Sequence, residues 1–405
     1  VNTFDMKYID SEIEELKSLA VTSGIEIIGS HIQNRNSMDP KSYVGMGFLE
    51  SVAESYDEEI DYCIINNEIT ASQNRKIELV LDTKVIDRTQ VILDIFSLRA
   101  QSRAGQLQVE LAQLEYLVPR LKGQGINLSR LGAGIGTRGP GETKLETDRR
   151  HINTRIKEIK NQLKTIINHR ERYREQRRKN QVVKVSLIGY TNAGKSTLFN
   201  VMAESDTLEQ DKLFATLDPK TRKLELPSGF NCVLTDTVGF IQNLPTTLVE
   251  SFKSTLEEAS DSDFIIHVID NDADNITAHY DTVKSLMEAL DMTDIPQVIF
   301  FNKTDLNDDL NLVPSEHSVY VSKHTPQEEM NGHLEDFMKK EFEDYKVELP
   351  AESMHLYYSL KSATIIENSE MDEQTGTLKV EGYSPEGGWI ERIVGSDDIS
   401  STKYD

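Results

Sequence analysis

The chain has 405 residues, of which 38% are hydrophobic, and a formal net charge of −24, which leaves room for two to four domains with packed cores. Its apolar runs are shorter than the roughly 18 residues that a membrane-spanning helix needs, and the acidic start at Val1–Asp5 argues against a secretory leader. Cys63 and Cys232 lie in apolar runs, which argues against a disulfide framework or a metal site and predicts reduced core residues in a cytoplasmic protein.

Residues 1–97 alternate between strand-like and helix-like segments. Ile25–Ile28, Tyr62–Ile65 and the shorter Val85–Ile86 have the composition of buried strands, and the segments near 42–56 and 70–80 have that of helices. Such alternation predicts a small α/β domain built on a parallel sheet. We find no catalytic constellation in it.

Residues 98–180 predict an antiparallel pair of helices. Leucines recur on one face of the first helix, and a second apolar stripe with near-heptad spacing follows downstream. The first stripe comprises Leu107, Leu111, Leu114, Leu117 and Leu121, and the second Leu145, Ile152, Ile156, Ile159, Leu163 and Ile166. Matching stripes are expected to pack against each other in a helical hairpin.

The connection between these helices is glycine-rich and cationic. Residues 123–141 hold seven of the 22 glycines of the chain, and residues 116–141 contain no acidic side chain. Residues 98–180 carry 19 Lys and Arg against 8 Asp and Glu, a net +11, whereas the rest of the chain carries 25 against 60, a net −35. A loop of this length and charge predicts contact with RNA phosphates, although a solvated charged helix is the alternative. The candidate RNA-binding residues are Arg120, Lys122, Arg130 and Arg138.

A complete phosphate-binding pattern, G-x-x-x-x-G-K-S, follows the apolar run Val182–Ile188 and precedes a helix-like stretch. Backbone N–H groups of such a loop surround a polyphosphate, and the next helix directs its positive end toward it. Lys195 is predicted to neutralise the outer phosphates and Ser196 to bind Mg²⁺. The predicted nucleotide contacts are Gly189, Tyr190, Thr191, Asn192, Ala193, Gly194, Lys195, Ser196 and Thr197.

Two further segments are predicted to sense the third phosphate. Phe214–Asp218 contains Thr216, a candidate for the mobile threonine that caps the metal and that we expect to be catalytic with Lys195 and Ser196. The strand before Asp236 delivers D-x-x-G, in which Gly239 lets a backbone N–H approach that phosphate. Phe240 stands where many GTPases have a glutamine that orients water, which predicts slow hydrolysis without a partner. The predicted contacts here are Phe214, Ala215, Thr216, Leu217, Asp218, Asp236, Thr237, Val238 and Gly239.

The base is predicted to be guanine. The strand-like Val298–Phe301 ends in Asn302, Lys303, Thr304 and Asp305, the N-K-x-D pattern, whose carboxylate accepts from two donors that adenine lacks. Ser322 and Lys323 form a weaker fifth element, with Lys323 where alanine is usual. The order of these motifs predicts a regulatory GTPase.

The fold class that follows is α/β: a P-loop GTPase domain with a mostly parallel sheet at 181–342, preceded by the α/β domain at 1–97 and the hairpin at 98–180. Residues 343–405 predict a small C-terminal α+β appendage, with β-like pieces that include Leu356–Tyr358 and Leu378–Val380.

Three stretches resemble the HflX GTPases of the Obg–HflX superfamily: residues 107–114, the glycine loop 136–143 with its continuation 145–150, and residues 236–241. The resemblance implies a cytoplasmic GTPase that binds the rRNA of the large ribosomal subunit, places its hairpin loop near the peptidyl-transferase centre, and splits or rescues ribosomes under stress. We expect a monomer with no DNA or integral membrane partner. The alternative is a signalling GTPase whose hairpin serves protein–protein dimerisation.

Overall fold

The computed structural model describes residues 9–57, 59–121, 140–179, 182–204, 213–214, 216–242, 259–307, 309, 311, 313, 315, 317–372 and 376–395. These residues form two compact units. The first unit holds those within 1–168, 212–218 and 242–254, and the second unit holds those within 169–211, 219–241 and 255–405.

The first unit begins with a small α/β layer. Its elements are α1 (Ile9–Thr22), α2 (Met46–Ala53), β1 (Tyr62–Ile65), α3 (Ala71–Leu81), β2 (Lys84–Asp87) and α4 (Arg88–Arg99). β1 and β2 pair in parallel, with Cys63 opposite Val85, and α3 begins with a capping box between Thr70 and Gln73. The expected strand at Ile25–Ile28 is wrong: these residues form no regular element, and Ile28 is 58% exposed because no strand lies beside it to pair with.

The hairpin consists of α5 (Arg103–Leu121) in the first unit and α6 (Pro140–Lys179), whose residues up to 168 belong to that unit. Leu107 and Leu111 pack against Ile159 and Leu163. Arg103 Nη2 donates to Gln162 Oε1 at 3.1 Å, and Arg155 Nε donates to Glu110 Oε1 at 2.6 Å. As the residue number rises along α5, that of its partner on α6 falls, so the two helices are antiparallel. The antiparallel hairpin is confirmed. Its stripe ends earlier than expected, since Leu117 is 44% exposed, and residues 123–139 of the glycine loop lie outside the described residues.

The second unit is organised on a six-stranded sheet of order β4-β5-β3-β6-β7-β8. Only β4 runs antiparallel to its neighbour, so the mostly parallel sheet is confirmed. The strands are β3 (Val183–Gly189), β4 (Lys220–Glu225), β5 (Asn231–Asp236), β6 (Phe264–Asp270), β7 (Gln297–Asn302) and β8 (Ser318–Tyr320). The helices are α7 (Lys195–Met202), α8 (Ile276–Ala289) and α9 (Gln327–Glu341). Ligands bind such sheets at the carboxyl ends of the strands, and the motif residues lie there.

The C-terminal part of the second unit is a three-stranded antiparallel sheet of order β10-β11-β9 with two helices. Its elements are β9 (Glu343–Pro350), α10 (Met354–Ala363), β10 (Ile365–Asp372), β11 (Thr377–Ser384) and α11 (Gly387–Val394). The β-like reading of Leu356–Tyr358 is wrong: these residues lie in α10, where Leu356 and Leu360, one turn apart, face the core of this small sheet. Trp389 packs against the core of the six-stranded sheet.

Each helix among the described residues is too short or too polar to span a membrane. Burial raises the pKa of the Cys63 thiol to about 11 and that of Cys232 to about 12, so both thiols are protonated. Cys232 is buried in the core of the six-stranded sheet, and Cys63 is half-buried against the core of the small α/β layer.

Candidate guanine-nucleotide site

The phosphate loop joins the end of β3 to the start of α7. Gly189 has φ +153°, and a Cβ there would lie 2.2 Å from Val268 O. Gly194 has φ +90°, and a Cβ there would lie 2.1 Å from Asn302 Nδ2. Position 189 therefore requires glycine because a side chain there would clash with β6. Position 194 requires glycine because a side chain there would clash with Asn302. Asn302 begins the loop of residues 302–305, which we call the base-reading loop after its predicted role.

Lys195 begins α7 with its ammonium folded back over the loop. Nζ donates to Tyr190 O at 2.8 Å and to Gly189 O at 3.2 Å. Burial lowers the pKa of this ammonium to about 8, while the carboxylate of Asp236 opposes that shift. A polyphosphate in the loop would offer this buried cation a stronger partner than two carbonyls.

Ser196 and Asp236 meet at the carboxyl end of β5, where Ser196 Oγ donates to Asp236 Oδ2 at 2.7 Å. Hydroxyl and carboxylate oxygens are the donors that Mg²⁺ prefers, and the ion takes few protein ligands when phosphates supply the others. The described residues hold no group of three or more His, Cys, Asp or Glu side chains that could bind a metal. The residues fit a nucleotide-dependent Mg²⁺ site.

Two buried polar atoms nearby also fit a ligand. Thr191 Oγ1 in the phosphate loop and Asn302 Oδ1 in the base-reading loop have no hydrogen-bond partner among the described residues. An unpaired buried polar atom costs about 1–3 kcal/mol, so a bound nucleotide that pairs with either atom recovers that energy.

The D-x-x-G segment is fastened to the phosphate loop. Phe240 N donates to Gly189 O at 3.1 Å, and Thr191 N donates to Phe240 O at 2.7 Å. A Cβ on Gly239 would lie 2.9 Å from Thr191 Cα and 3.0 Å from Lys195 Nζ. The ring of Phe240 is buried in the core, so it packs the segment and supplies no group to orient water. Thr237 Oγ1 donates to Leu187 O at 2.6 Å.

The base-reading loop follows β7. Asn302 Nδ2 donates to Ala193 O at 2.9 Å, and Lys303 Nζ lies 2.7 Å from Asp270 Oδ2. Thr304 Oγ1 donates to Val321 O at 3.0 Å. The bonds of Asn302 and Thr304 tie this loop to the phosphate loop and to the fifth element.

Asp305, the predicted guanine reader, is 22% exposed on its side chain, and its Oδ2 lies 3.9 Å from Lys323 Nζ and 3.8 Å from His324 Nε2. Ser322 N donates to Thr325 Oγ1 at 2.9 Å, which shapes the turn. Lys323 is exposed, so it has replaced the usual alanine without entering the core. The sequence did not predict the contact of His324 with Asp305, because a single histidine in a polar turn matches no functional motif.

The Phe214–Asp218 segment belongs to the first unit. The Phe214 ring contacts Phe96 edge to face, with centroids 4.7 Å apart, and Thr216 and Leu217 are buried. The carboxylate of Asp218 accepts from backbone N–H groups of the first unit, so this side chain is occupied by protein. Ala215 lies outside the described residues.

Of the four cationic candidates, Arg120 alone is described, and it is held inside the first unit. Its Nη2 lies 2.9 Å from Asp87 Oδ2, its guanidinium stacks 3.4 Å from the centre of the Tyr116 ring, and it donates to Ile69 O. Arg120 thus holds the loop-proximal end of α5 against residues 69 and 87 of the α/β layer. Lys122, Arg130 and Arg138 lie outside the described residues.

His267 in β6 is a buried residue that the sequence motifs did not identify. From the sequence alone, a single histidine in an apolar strand cannot be distinguished from an ordinary core residue. Its ring stacks on Tyr280 with centroids 5.5 Å apart. Burial, and secondly the charge of Lys195, lower the pKa of this imidazole to about 3. His267 is therefore neutral and keeps a second positive charge away from Lys195.

Three protein-family models match the chain. A GTP-binding GTPase N-terminal model covers residues 10–97, a GTP-binding GTPase middle-region model covers 99–177, and a 50S ribosome-binding GTPase model covers 184–303. Among solved structures, a GTP-binding protein from Sulfolobus solfataricus in complex with GDP is 22% identical and covers 81% of this chain and 95% of that one, with a TM-score of 0.44.

Full-length relatives give the stronger comparison. The GTPase HflX of Alkalihalophilus pseudofirmus is 46% identical over 391 residues, which is 95% of this chain and 92% of that protein. The GTPase HflX of Escherichia coli is 41% identical over 299 residues, 74% of this chain and 70% of that protein. With the phosphate loop, the D-x-x-G segment and the N-K-x-D pattern at one sheet edge, the chain belongs to the HflX family of GTPases and is a GTP hydrolase.

Proposed function

We propose that this GTPase binds the large ribosomal subunit through its hairpin and uses its GTP state to split or rescue ribosomes under stress. The observation that carries the proposal is the hairpin itself. The packed α5 and α6 make a firm stalk for a loop whose sequence is cationic and free of acidic residues, on a chain that is otherwise strongly acidic. Repulsion of RNA by the acidic remainder leaves the loop as the contact. The match to a 50S ribosome-binding GTPase model supports the same partner.

Within the nucleotide site, Lys195, Ser196 and Thr216 are the proposed catalytic residues. Lys195 neutralises charge on the outer phosphates, and Ser196 and Thr216 hold Mg²⁺. When bound, the ion screens the phosphate oxygens as charge develops on them. Asp236 orients Ser196 through the bond between them, and Asp305 selects guanine.

Hydrolysis by the isolated protein is proposed to be slow. Phe240 is buried and pairs only through its backbone with the phosphate loop, so this position supplies no polar side chain to align the attacking water. Ribosomal subunits would then accelerate turnover, either by ordering the switch segments or by contributing a polar group.

For RNA contact we propose Lys122, Arg130 and Arg138 and leave out Arg120, whose guanidinium is engaged by Asp87. We also propose that the protein works as a monomer in the cytoplasm, with GTP or GDP and rRNA as ligands and without DNA or an integral membrane partner.

Co-sedimentation with purified large subunits tests the partner. We expect binding with a GTP analogue to exceed binding with GDP and to weaken steeply with salt, because phosphate contacts release counterions. The double variant Arg130→Glu, Arg138→Glu should lose binding. Arg222→Glu, Lys223→Glu, a matched change at two exposed positions of β4, should retain it. Salt-insensitive self-association through the hairpin, with no subunit binding, would support the dimerisation alternative instead.

A further inference from the structure

The turn between α4 and α5 holds the carboxylate of Asp218. Asp218 Oδ2 accepts from the backbone N–H of Gln101 at 2.8 Å and of Ser102 at 2.7 Å. Ser102 Oγ donates to Asp218 Oδ1. A carboxylate that accepts three hydrogen bonds is firmly placed, because bonds to a charged group are about twice as strong as neutral ones.

The same turn begins the hairpin. Ser102 Oγ accepts from Gly105 N at 2.9 Å, as an N-cap does at the start of a helix, and α5 starts at Arg103. A Cβ on Gly105 would lie 2.5 Å from Asp218 Oδ1. Glycine at 105 is therefore what allows the carboxylate to reach the cap.

Asp218 is one of two anchors that bracket Thr216. Phe214, two residues before the threonine, has φ +54° and rests its ring on Phe96 of α4. A bulky residue is strained in that left-handed conformation, so the packing on α4 offsets local strain. Thr216 lies between the aromatic anchor and the carboxylate anchor and is buried.

The segment after D-x-x-G is anchored in the same unit. Arg88, the first residue of α4, donates from Nη2 to Gln242 O at 3.2 Å. The Arg88 guanidinium is buried, donates from Nη1 to Asn66 Oδ1 at 3.0 Å and pairs with Glu15. Both chain segments that follow nucleotide motifs are thus fixed on α4 or its ends.

We propose that Asp218 is a positioning residue that fixes Thr216 for the GTP state by capping the turn that starts the hairpin. The inference rests on the proposed role of Thr216 as the switch threonine. Anchoring the segment on both sides lowers the entropy lost when the threonine is fixed. Since coupling is reciprocal, GTP in turn strengthens the cap at Gln101 and Ser102, at the base of the stalk.

Two variants separate positioning from folding. Asp218→Ala removes the anchor and leaves the Ser102–Gly105 cap of α5 intact. Gly105→Ala displaces the carboxylate, while alanine itself favours the helix. Ser97→Ala is the matched control, because Ser97 Oγ donates locally to Asp94 O on α4 and not to Asp218.

The experiment measures affinities for GDP and for a non-hydrolysable GTP analogue, together with amide hydrogen exchange at residues 101–105 in each state. We expect both test variants to lower the affinity for the GTP analogue by roughly tenfold, since a charge-assisted bond of this kind is lost. The affinity for GDP should change by less than about twofold. In the native chain the amides of Gln101 and Ser102 should exchange more slowly with the analogue than with GDP. Asp218→Ala should abolish that difference, and Ser97→Ala should behave as the native chain.

Thr216→Ala distinguishes the possible failures. If it lowers analogue affinity while Asp218→Ala and Gly105→Ala do not, Thr216 is the switch and the positioning role is overturned. If Thr216→Ala itself changes nothing, the proposed switch fails and the inference falls with it. Equal loss of GDP and analogue affinity in Asp218→Ala would indicate a structural role only, and would also overturn the inference.

Discussion

Asn302 Nδ2 donates to Ala193 O at 2.9 Å, and this single bond joins the base-reading loop to the phosphate loop. The two loops are 109 residues apart in the chain, yet the amide also sits where a side chain on Gly194 would have to be. The hydrogen bond therefore couples the position of the base-reading loop to that of the phosphate loop.

Asn302→Ala should lower the affinities for GTP and for GDP by about tenfold to a hundredfold. Losing a buried hydrogen bond costs about 1–3 kcal/mol, and the loss of this one also loosens the phosphate loop. Fluorescent-nucleotide titration measures the effect. Asn331→Ala is the control: Asn331 Nδ2 donates to Met202 O at the far end of α7, so it should lose stability and keep nucleotide affinity. Equal affinity losses in both variants would contradict the local role of Asn302.

Asp305→Asn should lower the affinity for GTP by at least about tenfold. It should also shift the nucleotide preference toward xanthine, whose C2 carbonyl can accept a hydrogen bond from the new amide. Competition between GTP and XTP measures the shift. Asp309→Asn, on an exposed residue of the same loop, should leave the preference unchanged. ATP binding to the native protein as tightly as GTP would show that residues 302–305 do not read guanine.

Ser196→Ala should slow single-turnover hydrolysis by about a hundredfold or more and raise the Mg²⁺ concentration needed for half-maximal rate, since a ligand to the ion and the bond to Asp236 are both lost. Lys195→Ala should also cripple turnover by removing charge from the outer phosphates. Lys184→Ala is the control: it removes a β3 ammonium that pairs with Asp261, and it should retain activity. Native turnover in either test variant would refute the phosphate-loop assignment.

His267 predicts a pH-dependent stability. Burial, and then the charge of Lys195, lower its pKa in the folded chain to about 3, whereas the unfolded chain should have the ordinary value near 6.5. A depressed folded-state pKa contributes stability that is present above pH 6.5 and is lost as the pH falls, because the unfolded chain then binds the proton. Between pH 7.5 and 5.5 the loss is about 1.4 kcal/mol.

Urea unfolding at these two pH values measures that loss. His267→Gln should reduce the pH dependence by about the same 1.4 kcal/mol, and His355→Gln, at an exposed position, should not. An unchanged pH dependence in His267→Gln would mean that His267 is not the titrating group.

Sequence patterns identify the second unit well because its strands are buried runs bounded by motifs. The phosphate loop after Ile188 and the base-reading loop after Phe301 both follow from a strand that ends in a polar pattern. The hairpin follows from the stripes, since Leu107 and Ile159 must bury their faces together. The strand prediction for Ile25–Ile28 was wrong because an apolar run without a partner strand has no hydrogen-bonded ladder to join.

Other features could not be read from the chain. The bonds between Asp218 and Ser102 span 116 residues, and no local pattern marks either residue. Arg120 looked like a candidate RNA contact by charge, but the buried carboxylate that engages it, Asp87, is 33 residues away. Such pairings depend on tertiary packing, which overrides local composition.

We propose that the hairpin loop brings the activator to a hydrolytic site that is slow alone. Single-turnover GTP hydrolysis with and without large ribosomal subunits tests it most directly, in the native chain and in a variant lacking Gly132–Gly136. We predict slow hydrolysis by both proteins alone, strong and salt-sensitive stimulation of the native chain, and little stimulation of the deletion variant. Full stimulation of the deletion variant, or fast hydrolysis by the native protein without subunits, would contradict the account.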